Sequence, residues 1–198
     1  MGIGAMRTRY GTNARLLHWL TELLVVAAWT MARFGERLFD EGIDALHTAT
    51  AIGLGVHLWL GLAIFVTAVL RVIWLISNPP PPPETNELSH WLISWTDPSA
   101  RFTQYVLYIL LFAVPIVGIL LVFFEGHAPA LLGLADIAVP FKEWRWIARG
   151  LRRLHVVLAN ALVIVAIFHA ATAILHHVVF GDGTLARMMP WVRRSDLK

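Results

Sequence analysis

Four stretches of this chain stay apolar over the length that a lipid bilayer demands, and no other feature limits its fold so tightly. A helix rises 1.5 Å per residue, so about 20 residues cross the roughly 30 Å hydrocarbon core. The stretches run over about 16–32, 52–76, 102–124 and 154–180. Inside lipid every backbone N–H and C=O needs a partner within the protein, which for separate apolar runs means helices. Composition agrees, because only 15% of residues are charged, against about 25% in soluble domains. The expected architecture is an all-α integral membrane four-helix bundle, in one domain covering 1–198.

The connections read as loops. Phe34 to Asp44 is acidic and holds two glycines, and Glu125 to Arg153 is longer, with short amphipathic pieces. Pro79 to Pro83 forms a stiff polyproline II spacer that stops the second helix. The first apolar run begins only at Leu16 and no cleavage pattern follows it, so the start is not a signal peptide. Four spans leave both termini on one side. That side carries nine of the 16 Lys and Arg residues, which favours cytoplasmic termini in a bacterial inner membrane. Of the seven on the opposite face, five form a cluster: Lys142, Arg145, Arg149, Arg152 and Arg153. A net charge of +3 gives no reason to expect nucleic-acid binding.

The chain has no cysteine, which excludes disulfides, thiolate metal sites, iron–sulfur clusters and covalent haem attachment. It has nine histidines, and a histidine inside a membrane span points to function. His155 and His169 lie 14 residues apart on the fourth span. That is nearly four turns, so both project from one face with about 21 Å between them. Following the chain back and forth across the bilayer pairs His18 with His169 near the terminal face. His57 and His155 pair near the opposite face. Two imidazoles facing each other suit a low-spin haem with no open iron position, so two haems stacked across the bilayer are expected. Zinc would need more ligands than each pair offers. Gly53 and Gly61 stand one turn either side of His57, where they clear space for a flat macrocycle or let helices pack closely. His47, His90 and His127 lie outside the spans as loop residues, and His47 is the rival to His57 for the second helix. The third span contains Pro115, a kink site, and no histidine.

These motifs resemble the bacterial cytochrome b561 family over nearly the whole chain. The first helix opens with Arg15-Leu-Leu-His18-Trp19. The second carries His57-Leu-Trp-Leu-Gly61, then Arg71 and the proline run. The third has Pro115-Ile-Val-Gly118, and the fourth has Leu154-His155 followed by His169 and the pair His176-His177. The tail from Asp182 to Pro190 is the most distinctive piece. The resemblance implies that His18, His57, His155 and His169 bind two haem b groups, the same four that depth selects. Its small four-helix members oxidise superoxide and reduce ubiquinone, so the resemblance implies superoxide as donor and quinone as acceptor. The segment from Ala45 to Val56 is longer than in the family pattern.

Three functions are therefore in play. In the first, the chain is a superoxide oxidase that releases dioxygen and needs no protein partner. The basic cluster would then steer the anion, or else contact lipid headgroups and pair with Glu125, Asp136 and Glu143. Haem propionates would take partners among Arg15, Arg71, Arg152 and Arg153. His176 and His177 either solvate the helix end or serve a propionate, quinone or proton path. In the second, the chain is a quinone-linked conduit subunit of a dehydrogenase or hydrogenase. In the third it is a haem-free membrane scaffold or transporter.

Overall fold

The computed structural model describes residues 10–40, 47–79, 89–125, 145–180 and 184–189. The described chain is helical throughout, in four long helices and two short elements: α1 (Thr12–Asp40), α2 (His47–Ser77), α3 (Ser89–Glu125), α4 (Arg145–Leu175), a π-helical turn (His176–Phe180) and α5 (Thr184–Met188). Among the described residues three segments are long and apolar enough to cross a membrane: Gly53–Ser77, Ser99–Phe124 and Trp146–Val179. The segment in α1 falls short of them because His18, Thr21, Glu22 and Thr30 interrupt its apolar residues.

The helices outrun the expected spans. Phe34 through Asp40, expected as loop, continues α1, and Arg145 through Arg153, also expected as loop, forms the opening turns of α4. α3 starts at Ser89, well before 102. Hydropathy marks where a helix is covered by lipid; it does not mark where the backbone stops being helical. Glu36, Arg37, Arg149, Arg152 and Arg153 are good helix formers, so these helices continue past the apolar limit. α3 also continues through Pro115. The fourth helix changes character at His176, where α-helix gives way to a π turn.

α1 packs mainly on α2, and α3 on α4, with α2 against α3 joining the two pairs. A small apolar core runs between them, with Val25 and Ala28 of α1, Ile64 and Ala68 of α2, Leu110 and Leu111 of α3 and Leu162 of α4. The outward faces are apolar as well. Leu16, Leu20, Leu23 and Val26 are exposed along one side of α1. On the other side Thr21, Val25 and Ala28 are buried, with His18, Glu22 and Trp29 half-buried. α1 is therefore two-faced, with polar groups turned inward and leucines outward, the reverse of a water-soluble helix. Interior hydroxyls are satisfied on their own helix: Thr21 donates to the Leu17 carbonyl at 2.7 Å and Thr67 to the Ala63 carbonyl at 2.9 Å.

Candidate functional site

The long helices bring four histidines together in two pairs. The rings of His18 (α1) and His169 (α4) have centres 6.5 Å apart and planes at 72°. The rings of His57 (α2) and His155 (α4) have centres 6.1 Å apart and planes at 82°. His155 and His169 share α4, so the two pairs sit at two levels about 21 Å apart along it. All four rings are half-buried. His47 opens α2, ten residues before His57, and it is His57 that meets His155. His90 lies in the first turn of α3, and His127 lies outside the described residues.

The spacing within each pair matches a metal between the rings. Metal–imidazole bonds are about 2.0–2.1 Å, and a ring centre lies about 1.1 Å behind its nitrogen, so one iron between two rings would set centres roughly 6.3 Å apart. Both pairs are close to that separation. Among the described residues no group of three or more His, Cys, Asp or Glu side chains gathers for a smaller ion. A two-imidazole site suits a cofactor that supplies the remaining ligands itself.

Hydrogen bonding fixes the tautomer of the second pair. His57 Nδ1 lies 3.1 Å from the Ala28 carbonyl, and His155 Nδ1 lies 3.1 Å from the Val114 carbonyl. A carbonyl only accepts, so each Nδ1 carries the proton and donates it. Each Nε2 is left with a free lone pair, the arrangement found in metal-binding histidines. Val114 precedes Pro115 on α3, and one turn later comes Gly118. A Cβ on Gly118 would stand 3.0 Å from His155 Cε1 and 3.3 Å from its Nδ1. Any side chain there would push the ring back by a few tenths of an ångström, so glycine lets α3 pass close to it. The third helix thus contributes to neither histidine pair, yet it orients His155.

The cleft around His57 and His155 is lined by Val25, Trp29, Gly61, Pro115 and Ala159 among others. A Cβ on Gly53 or Gly61 would meet nothing within 4 Å, so neither glycine marks a tight helix crossing. Trp29 closes one side, donating from Nε1 to Asn160 Oδ1 on α4 at 3.1 Å, with the Arg33 guanidinium 5.5 Å over its ring.

The first pair is wired differently. Arg71 Nη2 donates to His18 Nδ1 at 3.3 Å, and the guanidinium also stands 5.3 Å over the Tyr108 ring. Arginine has no acceptor, so His18 Nδ1 is the acceptor here. An iron on His18 Nε2 therefore requires Arg71 to give up that nitrogen.

Beyond the first pair lies a polar end. Trp19 Nε1 donates to the Met188 carbonyl at 3.2 Å, which ties α5 to the start of α1. Arg187 stands 5.6 Å over the Tyr10 ring. His177 is 8% exposed, and its Nδ1 and the Arg15 Nε are buried without a hydrogen-bond partner among the described residues. At the opposite level Arg149, Arg152 and Arg153 are exposed on α4, one or two turns before His155. Arg145 is the first residue of α4, and Lys142 lies outside the described residues. Sequence reasoning missed Glu22, Trp29, Asn160 and the orienting carbonyls. Glu22 had a signal, as an acid one turn after His18 in an apolar run. The carbonyls had none beyond the nearby Pro115 and Gly118.

The likeness to known proteins runs along nearly the whole chain. A sequence profile described as "Prokaryotic cytochrome b561" matches residues 9–191. A Yersinia pestis protein named "Probable superoxide oxidase CybB" is 30% identical over 192 residues, covering 93% of this chain and 98% of that protein. "Cytochrome b561 homolog 2" of Escherichia coli K12 is 28% identical, covering 91% of each. "Cytochrome b562" of Cereibacter sphaeroides is 27% identical, covering 87% of this chain and 90% of that protein. The matched span includes all four paired histidines, and the chain belongs to the prokaryotic cytochrome b561 family of membrane haem b electron-transfer proteins.

Proposed function

We propose that this protein is a dihaem four-helix membrane cytochrome that oxidises superoxide and reduces ubiquinone. Two superoxide anions would each give up one electron and leave as dioxygen. One quinone would take the two electrons with two protons and leave as quinol. The observation that carries the reading is the pair of facing imidazoles at each of two levels, at 6.1 and 6.5 Å. His57 with His155 would hold one haem b, and His18 with His169 the other. A haem b held between two such histidines would supply one-electron transfer.

The remaining residues take roles by position. Exposed Arg149, Arg152 and Arg153 stand near the His57–His155 level, where positive charge concentrates a small anion. Lys142 and Arg145 belong to the same cluster in sequence. Arg15, Arg71, Arg152 and Arg153 are the candidate partners of haem propionates. For Arg71 that role also releases His18 Nδ1 to carry a proton. Quinone fits the polar end beyond the other pair, where the donor Arg15 Nε and the ring nitrogen His177 Nδ1 are buried and unpartnered among the described residues, and a quinone carbonyl oxygen would accept from Arg15. The π turn that carries His176 and His177 favours this end, since such turns gather at functional positions. With the termini cytoplasmic in a bacterial inner membrane, the basic cluster faces outward and the quinone end inward. The partners are lipid, superoxide and quinone, with no obligate protein subunit. The name of the Yersinia pestis relative supports the choice of superoxide.

The test is optical. Protein produced with ample haem should show a Soret band and bind two haems per chain, and superoxide should reduce them. If superoxide leaves them oxidised while another donor reduces them, the protein is a conduit without this substrate.

A further inference from the structure

Glu22 is the one carboxylate among residues 12–34, 53–77, 99–124 and 146–179, and neither pair of histidines uses it. It lies on the inward stripe of α1 with His18, Val25 and Trp29, half-buried. Leu20 and Leu23 beside it face outward. An ionisable side chain inside an apolar helix bundle is costly and is kept near a partner of opposite charge. The nearest candidate is Arg71, the one Arg or Lys of Gly53–Ser77, which reaches the ring of His18 one turn before Glu22 on α1. Arg71 in turn acts on both members of the first pair, through its contact with His18 Nδ1 at 3.3 Å and electrostatically on His169. Glu22 is one turn from His18, about 6 Å along the helix axis. It is six residues from Ala28, whose carbonyl holds His57, or about 9 Å along the axis.

We propose that Glu22 is a positioning residue that sets the redox potential of the His18–His169 centre. The proposal rests on the reading of that pair as a haem site. A negative charge close to an iron stabilises its oxidised form, and weak screening in the bundle interior makes the effect large. The effect falls with distance, so it acts mainly on the nearer centre. It makes that centre a stronger reductant toward the acceptor at the polar end. It also offsets Arg71, which pulls the potential the other way. Removing the carboxylate takes away the negative charge and leaves Arg71 uncompensated. Both changes raise the potential, so the sign does not depend on how the two charges share the work.

The experiment is a potentiometric titration of the purified dihaem protein, following the haem absorbance of wild type, Glu22→Gln and Glu22→Asp. Glu22→Gln should raise the midpoint of the His18–His169 centre by more than that of the other. Glu22→Asp, which keeps the charge, should return most of the shift. Repeating Glu22→Gln in the His155→Ala background, which keeps the His18–His169 centre alone, should show the same rise. Unmoved midpoints, a downward shift or a shift at least as large at the other centre overturns the proposal. So does loss of a haem from Glu22→Gln, because a charge effect does not require Glu22 to hold the cofactor. Wild-type protein lacking a Soret band removes instead the haem reading beneath it.

Discussion

At the scale of single residues, His18, His57 and His155 are each held by a group that another helix provides. His155 is oriented by a carbonyl of α3 and has Gly118 against its ring. Gly118→Val therefore pushes branched carbon into an imidazole whose Cε1 lies only 3.0 Å from where the new Cβ would stand. Overpacking of this kind costs about 1–3 kcal/mol. The expected outcome is a His57–His155 haem with reduced occupancy or an altered low-spin electron paramagnetic resonance signal, and an unchanged signal from the other centre. His155→Ala goes further and should take haem content from two per chain to one, measured by pyridine haemochrome assay against protein. Loss of both haems from a folded protein contradicts the pairing. Histidine positions are legible in the sequence because a 14-residue spacing on one helix fixes a face and a separation. The groups that orient them are not, because a backbone carbonyl has no letter of its own.

At the scale of elements, apolar runs locate the helices well and their ends poorly. α1 and α4 continue through residues expected as loop, because charged residues such as Arg37 and Arg149 stop the apolar run and leave helix propensity intact. The consequence for the site is concrete: Arg149, Arg152 and Arg153 ride on the same helix as His155, with no loop between. The packing of α1 against α4 is slight beside its packing against α2. The hydrogen bond from Trp29 to Asn160 is thus a main tie across that gap. Asn160→Leu keeps the volume and removes the acceptor, leaving the indole N–H unsatisfied in an apolar cleft. The cost of such a group is about 1–3 kcal/mol. Thermal unfolding in detergent should show a lower midpoint for Asn160→Leu, and Trp29→Phe combined with it should recover part of the loss, since the stranded donor is then gone.

At the scale of the whole molecule, charge and the two histidine levels line up along one axis. Exposed arginines gather at the His57–His155 level, and a polar end where Arg15 Nε and His177 Nδ1 are buried and unpartnered among the described residues lies beyond the His18–His169 level. A donor attracted at one end and an acceptor held at the other is the arrangement a transmembrane electron carrier requires. If the basic face steers superoxide, its effect is long-range and screened by salt, because the Debye length is about 10 Å at 0.1 M and shortens as salt rises. The rate of haem reduction by superoxide in the wild type should therefore fall with ionic strength. Replacing Arg149, Arg152 and Arg153 together by Gln should lower the rate at low salt by about tenfold or more and flatten its salt dependence. Initial rates across a salt series provide the measurement, with haem content as the control. A variant that binds two haems and keeps both the wild-type rate and its salt slope assigns these arginines to lipid headgroups. A variant that loses one haem assigns Arg152 or Arg153 to a propionate. Only a full haem complement with a slower, salt-insensitive rate supports steering, because that combination separates attraction of the substrate from attachment of the cofactor.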